Sequence, residues 1–468
     1  MTMQGTATVN LSRPAPFRLR AEDAERLTGG RWHGQPREVT VRGAAIDSRR
    51  VAPGCLFACL TGERVDGHDF AAAAVGSGAA LILATHPVKV PAPVLVVREV
   101  AAALARLAGE FRSRAQGCTW IAVAGANGKT TTKELIAAAL RAACREPLLV
   151  TAGNLNNQLG VPLTVFSLPE RARYAVVELG SNHPGELAPL AAIVRPDHGC
   201  VVSIGPEHLE GFGDLAGVAR EECALFASLP ATGTAFLGVH GLAAECQANG
   251  ADPEAILAIA ATSAGSRRLI RSALPETELQ LDLLGDHNRA NAWLALQVAV
   301  AAGADEQLAR QGLAAVRATP GRLRPLHVNG HLVIDDCYNA NPASMRAGLA
   351  VLAATAGRRL AVLGHMGELG TASAEGHAQV GRAAANAGVA LIAVGPLALP
   401  IFEAYRAAGG RDGQHAADRQ GAVPLATAWM KSGGPACVLV KGSRSAHLED
   451  TLSGLCEAFA TRFPGGTH

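Results

Sequence analysis

The chain has 468 residues, with 42 Lys and Arg against 40 Asp and Glu and a formal net charge of +2. Hydrophobic residues make up 49% and charged residues 18%, which allows two to four domains with cores of their own and argues against nucleic acid or an anionic membrane as the main partner. The ten cysteines form no CxxC pair, so neither a zinc ribbon nor a disulfide framework is expected, and they read as free thiols of a reducing cytosol.

Met1–Arg20 holds no apolar core of signal-peptide length and is expected to be poorly ordered. From Leu19 to Val97 short apolar runs alternate with helical segments: Ala45-Ile46, Leu56–Ala58, Leu81–Leu83 and Val94–Val97. This predicts a small α/β domain over 1–98. A helix over about Val100–Arg114 leads to the apolar run Trp120–Ala124. Beyond it, Tyr174–Glu178 and Cys200–Ile204 alternate with helical stretches, the pattern of a mostly parallel sheet over 99–318. Thr319-Pro320-Gly321 reads as a hinge. Leu332–Ile334, Leu360–Leu363, Ala390–Val394 and Cys437–Val440 then predict a second α/β unit, Rossmann-like, over 319–468. No uninterrupted apolar run reaches membrane-spanning length. The fold class is therefore α/β in three domains.

The segment Val123–Lys133, read V-A-G-A-N-G-K-T-T-T-K, carries the most chemistry. It is a glycine turn between a strand and a helix start. Such a turn presents backbone N–H groups at a helix N-terminus, where hydrogen bonds and dipole both favour a phosphate. Lys129 adds a point charge and the Thr130 hydroxyl can reach Mg²⁺. Val123 stands where a full P-loop has its first glycine, so the bland alternative is a tight turn before a helix. Glu178 ends an apolar strand, and a carboxylate there points into the ligand crevice; otherwise it is a helix cap or a surface charge. His208 follows the Cys200–Ile204 run and reads equally as a metal ligand or a structural histidine. Gly153–Pro162 is a polar loop bounded by glycines, a recognition loop or an Asx turn.

Several further motifs fall in order along the chain: Asp47-Ser48-Arg49, the run Gly62–Phe70, Gly153–Pro162, Leu284–Asn291, Pro320-Gly321-Arg322, Asp335–Pro342 and Lys441–Arg444. Together with the P-loop they resemble the Mur ligase family, the ATP-dependent amide ligases of peptidoglycan synthesis, from about Asp47 to Leu452. The tyrosine-bearing D-D-C-Y-N-A-N-P form resembles the branch that adds D-alanyl-D-alanine. The resemblance implies that Gly125, Asn127, Gly128, Lys129, Thr130, Thr131, Asn291, Arg322 and Asp336 bind ATP. It implies that Thr130, Glu178 and His208 hold Mg²⁺. It assigns Ser48, Arg49, Asp66, His68, Asn156, Asn157, Tyr338, Asn339, Asn341, Lys441, Ser443 and Arg444 to the substrates. These would be UDP-N-acetylmuramoyl-tripeptide and D-alanyl-D-alanine, joined through an acyl phosphate by a bacterial cytoplasmic enzyme expected to be a monomer.

Three places depart from the family pattern. Glu222 stands, in ungapped register, where the family has a lysine carbamylated to carry a carboxylate to magnesium. A glutamate keeps the negative charge without CO₂, but its carboxyl carbon lies three bonds nearer the backbone. Its reach is shorter by roughly 3–4 Å, so it can stand in only through a water or a shifted helix. The other reading is a solvated helix charge with the second metal position lost. His365 occupies a usual aspartate position, and Leu237–Gly241 replaces an Asn-Ala-Asp strand end. These departures leave two alternatives to the ligase: a paralogue joining a different amine to a carboxylate, and a non-catalytic nucleotide-binding protein.

Overall fold

The computed structural model describes residues 14–461 and 463. Three sheets follow one another along the chain, each covered by helices. The first has five strands in the order Arg31–His33, Val94–Val96, Leu81–Ala84, Leu56–Ala58 and Ala44–Ala45, parallel except for the first pair. Of the segment expected to lack order, residues 1–13 lie outside the described residues. Phe17–Leu19, by contrast, form a strand antiparallel to Val39–Val41. The alternation of a strand sends Phe17 and Leu19 into the core while Arg18 faces out, and this burial orders the segment.

The central sheet has six parallel strands in the order Arg268–Ser272, Thr234–Gly238, His198–Val201, Thr119–Ala124, Tyr174–Glu178 and Leu148–Val150. Thr119–Ala124 lies inside the sheet, and the chain leaves it first to one side and later to the other. Ligand crevices of open parallel sheets form at such a switch point, beyond the carboxyl ends of the strands. Residues 120–124 are all buried, as expected of a strand covered on both faces. The third sheet runs Arg324–Val328, His331–Asp336, Ala436–Lys441, Arg358–Leu363, Ala390–Val394 and Gly413–Ala416, parallel except for its first pair.

The expected hinge is a turn closed by Arg322 N–H donating to Thr319 O at 3.1 Å. Gly321 has φ +73°, and its N–H donates to Asp335 Oδ2 at 2.9 Å. The helix Val100–Arg114 starts on Glu99, whose carboxylate accepts the Ala101 and Ala102 N–H groups. Its apolar stripe of Leu104, Leu107 and Phe111 is not confined to one domain. Phe111 meets Phe17 at 5.6 Å and Phe166 at 5.4 Å between ring centroids, and a single apolar cluster runs through the first two sheets. The boundary expected near residue 98 is thus a change of sheet, not a break in the core.

No helix among the described residues is long and apolar enough to cross a membrane, and all ten cysteines are free thiols. Arg112 locks the shared helix to the central domain. Its guanidinium donates to Val194 O at 2.7 Å and Arg195 O at 2.8 Å and lies over the Trp120 ring. Arg112→Ala strands two helix-end carbonyls and should cost about 2–3 kcal/mol, read as a lower midpoint in thermal melting.

Candidate active site

The glycine turn is shaped by contacts a side chain would break. Gly125 has φ +122°, and a Cβ there would lie 2.8 Å from Val202 N; Gly128 has φ +81°, and a Cβ there would lie 2.9 Å from Asn291 Nδ2. The helix Lys129–Ala143 starts directly after Gly128 with no side-chain cap, so its first N–H groups stay available to an anion. The expected Cys200–Ile204 strand ends early, at Val201. The next residues hold the turn instead: Ser203 O accepts Ala126 N–H and Ser203 Oγ accepts Asn127 N–H, both at 2.9 Å.

Lys129 folds back over this turn. Its ammonium donates to Gly125 O at 2.5 Å and pairs with Glu207 Oε2 at 3.3 Å. Burial works against its charge, yet Glu207, Glu222 and Glu178 outweigh burial and raise its pKa above the ordinary lysine value. Glu222 is fully buried, so it is not a solvated helix charge. It projects from the helix Leu215–Ala227 and its Oε2 accepts the Gly125 N–H. Burial first, then the neighbouring Glu207 charge and hydrogen bond, push its carboxyl well above the usual carboxylate range, against the opposing pull of Lys129 and the Gly125 N–H.

Glu178 is also buried, at 3% exposure. Its Oε1 accepts from Asn156 Nδ2 at 2.9 Å, its backbone N–H donates to Thr151 Oγ1 at 2.9 Å, and Lys133 Nζ stands 3.9 Å from Oε2. Lys133 is itself buried and donates to Thr151 O at 2.7 Å. His208, at φ +43°, turns toward the third domain and pairs with Glu368 at 3.1 Å. No three His, Cys, Asp or Glu side chains among the described residues gather as a metal cage. Mg²⁺ does not require one, since it is usually held by one or two carboxylates, phosphate oxygens and water. Glu178 Oε2, Glu207 Oε1 and Glu222 Oε1 are buried without hydrogen-bond partners, which fits such an ion.

The third domain closes the other side. Arg322 Nη2 donates to Thr130 Oγ1 at 3.1 Å while its guanidinium stacks over Tyr338. Asn341 caps the helix Pro342–Ala353 and donates to Asn127 Oδ1 at 2.8 Å. Arg346 pairs with Glu245 at 2.6 Å. The cleft so formed has a volume of about 1400 Å³. Asn291, Asp336, Asn339, Lys441, Ser443 and Arg444 all line it, as do Thr131, Asn157 and the unusual His240. Asp336 is already committed to Lys441 at 2.7 Å and to the Leu323 N–H. His287 lies beside them, its pKa depressed to about 4 chiefly by burial. His365 Nε2 bonds the rim residue Ser445 at 2.9 Å.

Ser48, Arg49, Asp66 and His68 are not brought to this cleft. Arg49 is an exposed partner of Asp47. His68 is buried between Asp66 and Thr85 and stacked on His86, bonds that order its own loop. Sequence reasoning passed over two buried charged groups here: Glu207, which lines the cleft, and Lys133, which stands behind Glu178. Glu178 was selected as a carboxylate at the end of a parallel strand, and Glu207 lies in the loop that follows the parallel strand His198–Val201. Lys133 gave no signal, because a lysine one turn into a helix ordinarily faces water.

A glutamine at 222 can accept from Gly125 N–H and donate to Glu207 as the protonated carboxyl does. A carboxyl with a raised folded pKa contributes stability at low pH and loses it as pH climbs from the ordinary carboxylate value through the folded one. Glu222→Gln should therefore gain melting temperature over the parent protein at pH 8 and show a smaller gain near pH 5. Paired melting curves across that range check it, and a gap that shrinks as pH rises would contradict it.

Comparison with known proteins bears on the whole length. Residues 40–112 match the model of the Mur ligase family catalytic domain, 123–299 the Mur ligase middle domain and 321–444 the Mur ligase glutamate ligase domain. The UDP-N-acetylmuramoyl-tripeptide–D-alanyl-D-alanine ligase of Escherichia coli K12 is 36% identical over 439 residues, covering 90% of this chain and 95% of its own. A crystal structure of MurF from Acinetobacter baumannii superposes with a TM-score of 0.83 at 30% identity, over 94% of this chain and 99% of that one. MurF ligase of Thermotoga maritima in complex with ADP shares the fold, with a TM-score of 0.76 at 23% identity over 90% of this chain and 98% of its own. With three domain models matched in order and a relative covered almost end to end, the chain belongs to the Mur ligase family.

Proposed function

We propose that this protein joins D-alanyl-D-alanine to UDP-N-acetylmuramoyl-tripeptide, with ATP as the second substrate and Mg²⁺ as the metal, in the cytoplasm of a bacterium. The observation that carries the reading is the cleft itself. A glycine turn with Lys129 forms its floor, and Arg322, Tyr338 and Asn341 reach it from a separate domain. A cleft of two halves suits a reaction that must first use a triphosphate and then admit an amine.

The chain's own residues mainly bind and position. The N–H groups opening the helix Lys129–Ala143 cradle the triphosphate, and Lys129 and Arg322 neutralise its charge. Thr130, Glu178 and His208 would hold Mg²⁺, which when bound offsets charge on the phosphate oxygens. Asn156 and Asn157 sit where the tripeptide end would enter. In the route implied by the family resemblance, the tripeptide carboxylate takes the γ-phosphoryl group, releasing ADP. The amine of D-alanyl-D-alanine then attacks the acyl carbon, loses a proton and expels phosphate. Two observations keep the amine open to test: His365 at the rim and His240 on the lining.

Phosphate release from ATP in the presence of UDP-N-acetylmuramoyl-tripeptide should require D-alanyl-D-alanine and yield the pentapeptide product by mass. Release that needs a different amine would establish the paralogue reading, and ATP binding without turnover under any pairing would establish the non-catalytic one. Lys129→Ala should lower turnover by about 10²–10³-fold; turnover at the parent rate would remove the P-loop from the mechanism.

A further inference from the structure

Glu207 is a buried charged group of the cleft whose role is still open. It sits just beyond the strand His198–Val201, on the opposite side of the glycine turn from Glu178. It is 7% exposed, and Oε2 faces the Lys129 ammonium while Oε1 has no hydrogen-bond partner. We propose that Glu207 is a cation-holding carboxylate of this cleft: it carries the Lys129 ammonium in the nucleotide-free protein and takes a divalent cation in its place when a triphosphate draws Lys129 away.

The Lys129 ammonium is occupied by Gly125 O and Glu207. A triphosphate seated on the turn competes for the same ammonium. Once Lys129 moves, the Glu207 charge is left buried with no cation beside it, a state that buried carboxylates do not sustain. Its neighbours cannot neutralise it. Glu222, with Oε2 bonded to the Gly125 N–H, can offer Glu207 a hydrogen bond from its protonated carboxyl but no positive charge. His208 is turned to Glu368. Lys133 is bonded to Thr151 O and Glu134. The relief must come from a cation entering with the nucleotide. A hard divalent cation suits the place, because it takes carboxylate and phosphate oxygens together. Two unpartnered oxygens, Glu207 Oε1 and Glu222 Oε1, are buried there, with Glu222 held by the turn as the wall behind Glu207. This arrangement supplies the reach that Glu222 lacks by itself. It uses carboxylates written in the sequence, so it needs no CO₂ adduct.

The proposal rests on the ATP-dependent reading of the cleft. Mn²⁺ binding to the full chain, followed by the electron paramagnetic resonance of free Mn²⁺, tests it with and without a non-hydrolysable ATP analogue, protein in excess over analogue. In the parent protein the analogue should tighten Mn²⁺ binding. Glu207→Gln should weaken Mn²⁺ in the analogue complex by about 10–100-fold, and Glu207→Asp, which keeps the charge, should recover part of the loss. Lys129→Ala should tighten Mn²⁺ in the absence of nucleotide by roughly tenfold, about 1.4 kcal/mol, because it frees Glu207. Unchanged Mn²⁺ affinity in Glu207→Gln overturns the proposal. If that variant does not fold, failure of Lys129→Ala to tighten Mn²⁺ overturns it equally. An analogue that binds normally alongside either negative result leaves the ligase reading standing; an analogue that does not bind the parent protein at all overturns both.

Discussion

The partly buried Lys129 ammonium, set among three buried acids, organises this cleft. Lys129 cannot remain charged there without Glu207, Glu222 and Glu178, since burial alone would depress its pKa. The three acids cannot all remain close without a cation between them. Each is fixed from a different element: Glu178 from the strand Tyr174–Glu178, Glu207 from the segment after His198–Val201, and Glu222 from the helix Leu215–Ala227. The glycine turn is therefore not an isolated loop. Its backbone is bonded to Glu222 at Gly125 and to Ser203 at Ala126 and Asn127, so the position of the phosphate seat depends on two neighbouring elements of the central domain.

The same geometry recurs on the facing wall. Register places Glu178 beside Val123 in the central sheet and Asp336 beside Lys441 in the third. In both sheets the polar residues gather at the carboxyl ends of parallel strands, where the sheet stops and side chains face open space. The two sheets aim these ends at one cleft. On the central wall the acids outnumber the lysine, whereas on the third wall Asp336 is matched by Lys441 and backed by Arg322. A polyanion with its own cations is thus met by an acidic wall on one side and a basic one on the other.

Much of this was legible in the sequence. The glycine turn and Glu178 were read from the residues themselves, Arg322 and the third-domain motifs from the resemblance to the Mur ligase family, and the structure brings them to one cleft. The three α/β units were readable because parallel strands are apolar throughout and stand apart from helical stretches. What could not be read depends on pairing across distance. Arg268–Ser272 and Leu148–Val150 are short or polar edge strands with weak patterns. Phe17–Leu19 pairs only with a strand well away in sequence, Val39–Val41. Burial was the harder quantity for side chains. Glu222 has the spacing of a surface residue on an ordinary helix, and only the glycine turn packed against it shows that it is enclosed. The loop around His68 was assigned to the substrate by resemblance, and here His68 is bonded to Asp66 and Thr85 of its own domain.

The cores decide which part of the molecule can move. The first and central domains share one apolar cluster through the helix Val100–Arg114, so separating them would expose hydrophobic surface and is opposed strongly. The third domain has apolar clusters of its own. It meets the central wall of the cleft through polar links: Arg322 to Thr130, Asn341 to Asn127, Glu368 to His208 and Arg346 to Glu245. Polar pairs of this kind exchange for water at little net cost. An opening of the cleft would therefore cost least between the central and third domains, at the turn Thr319–Arg322 that joins them. Such an opening would carry Arg322 away from Thr130, so the charge around the phosphate seat is complete in the closed arrangement described.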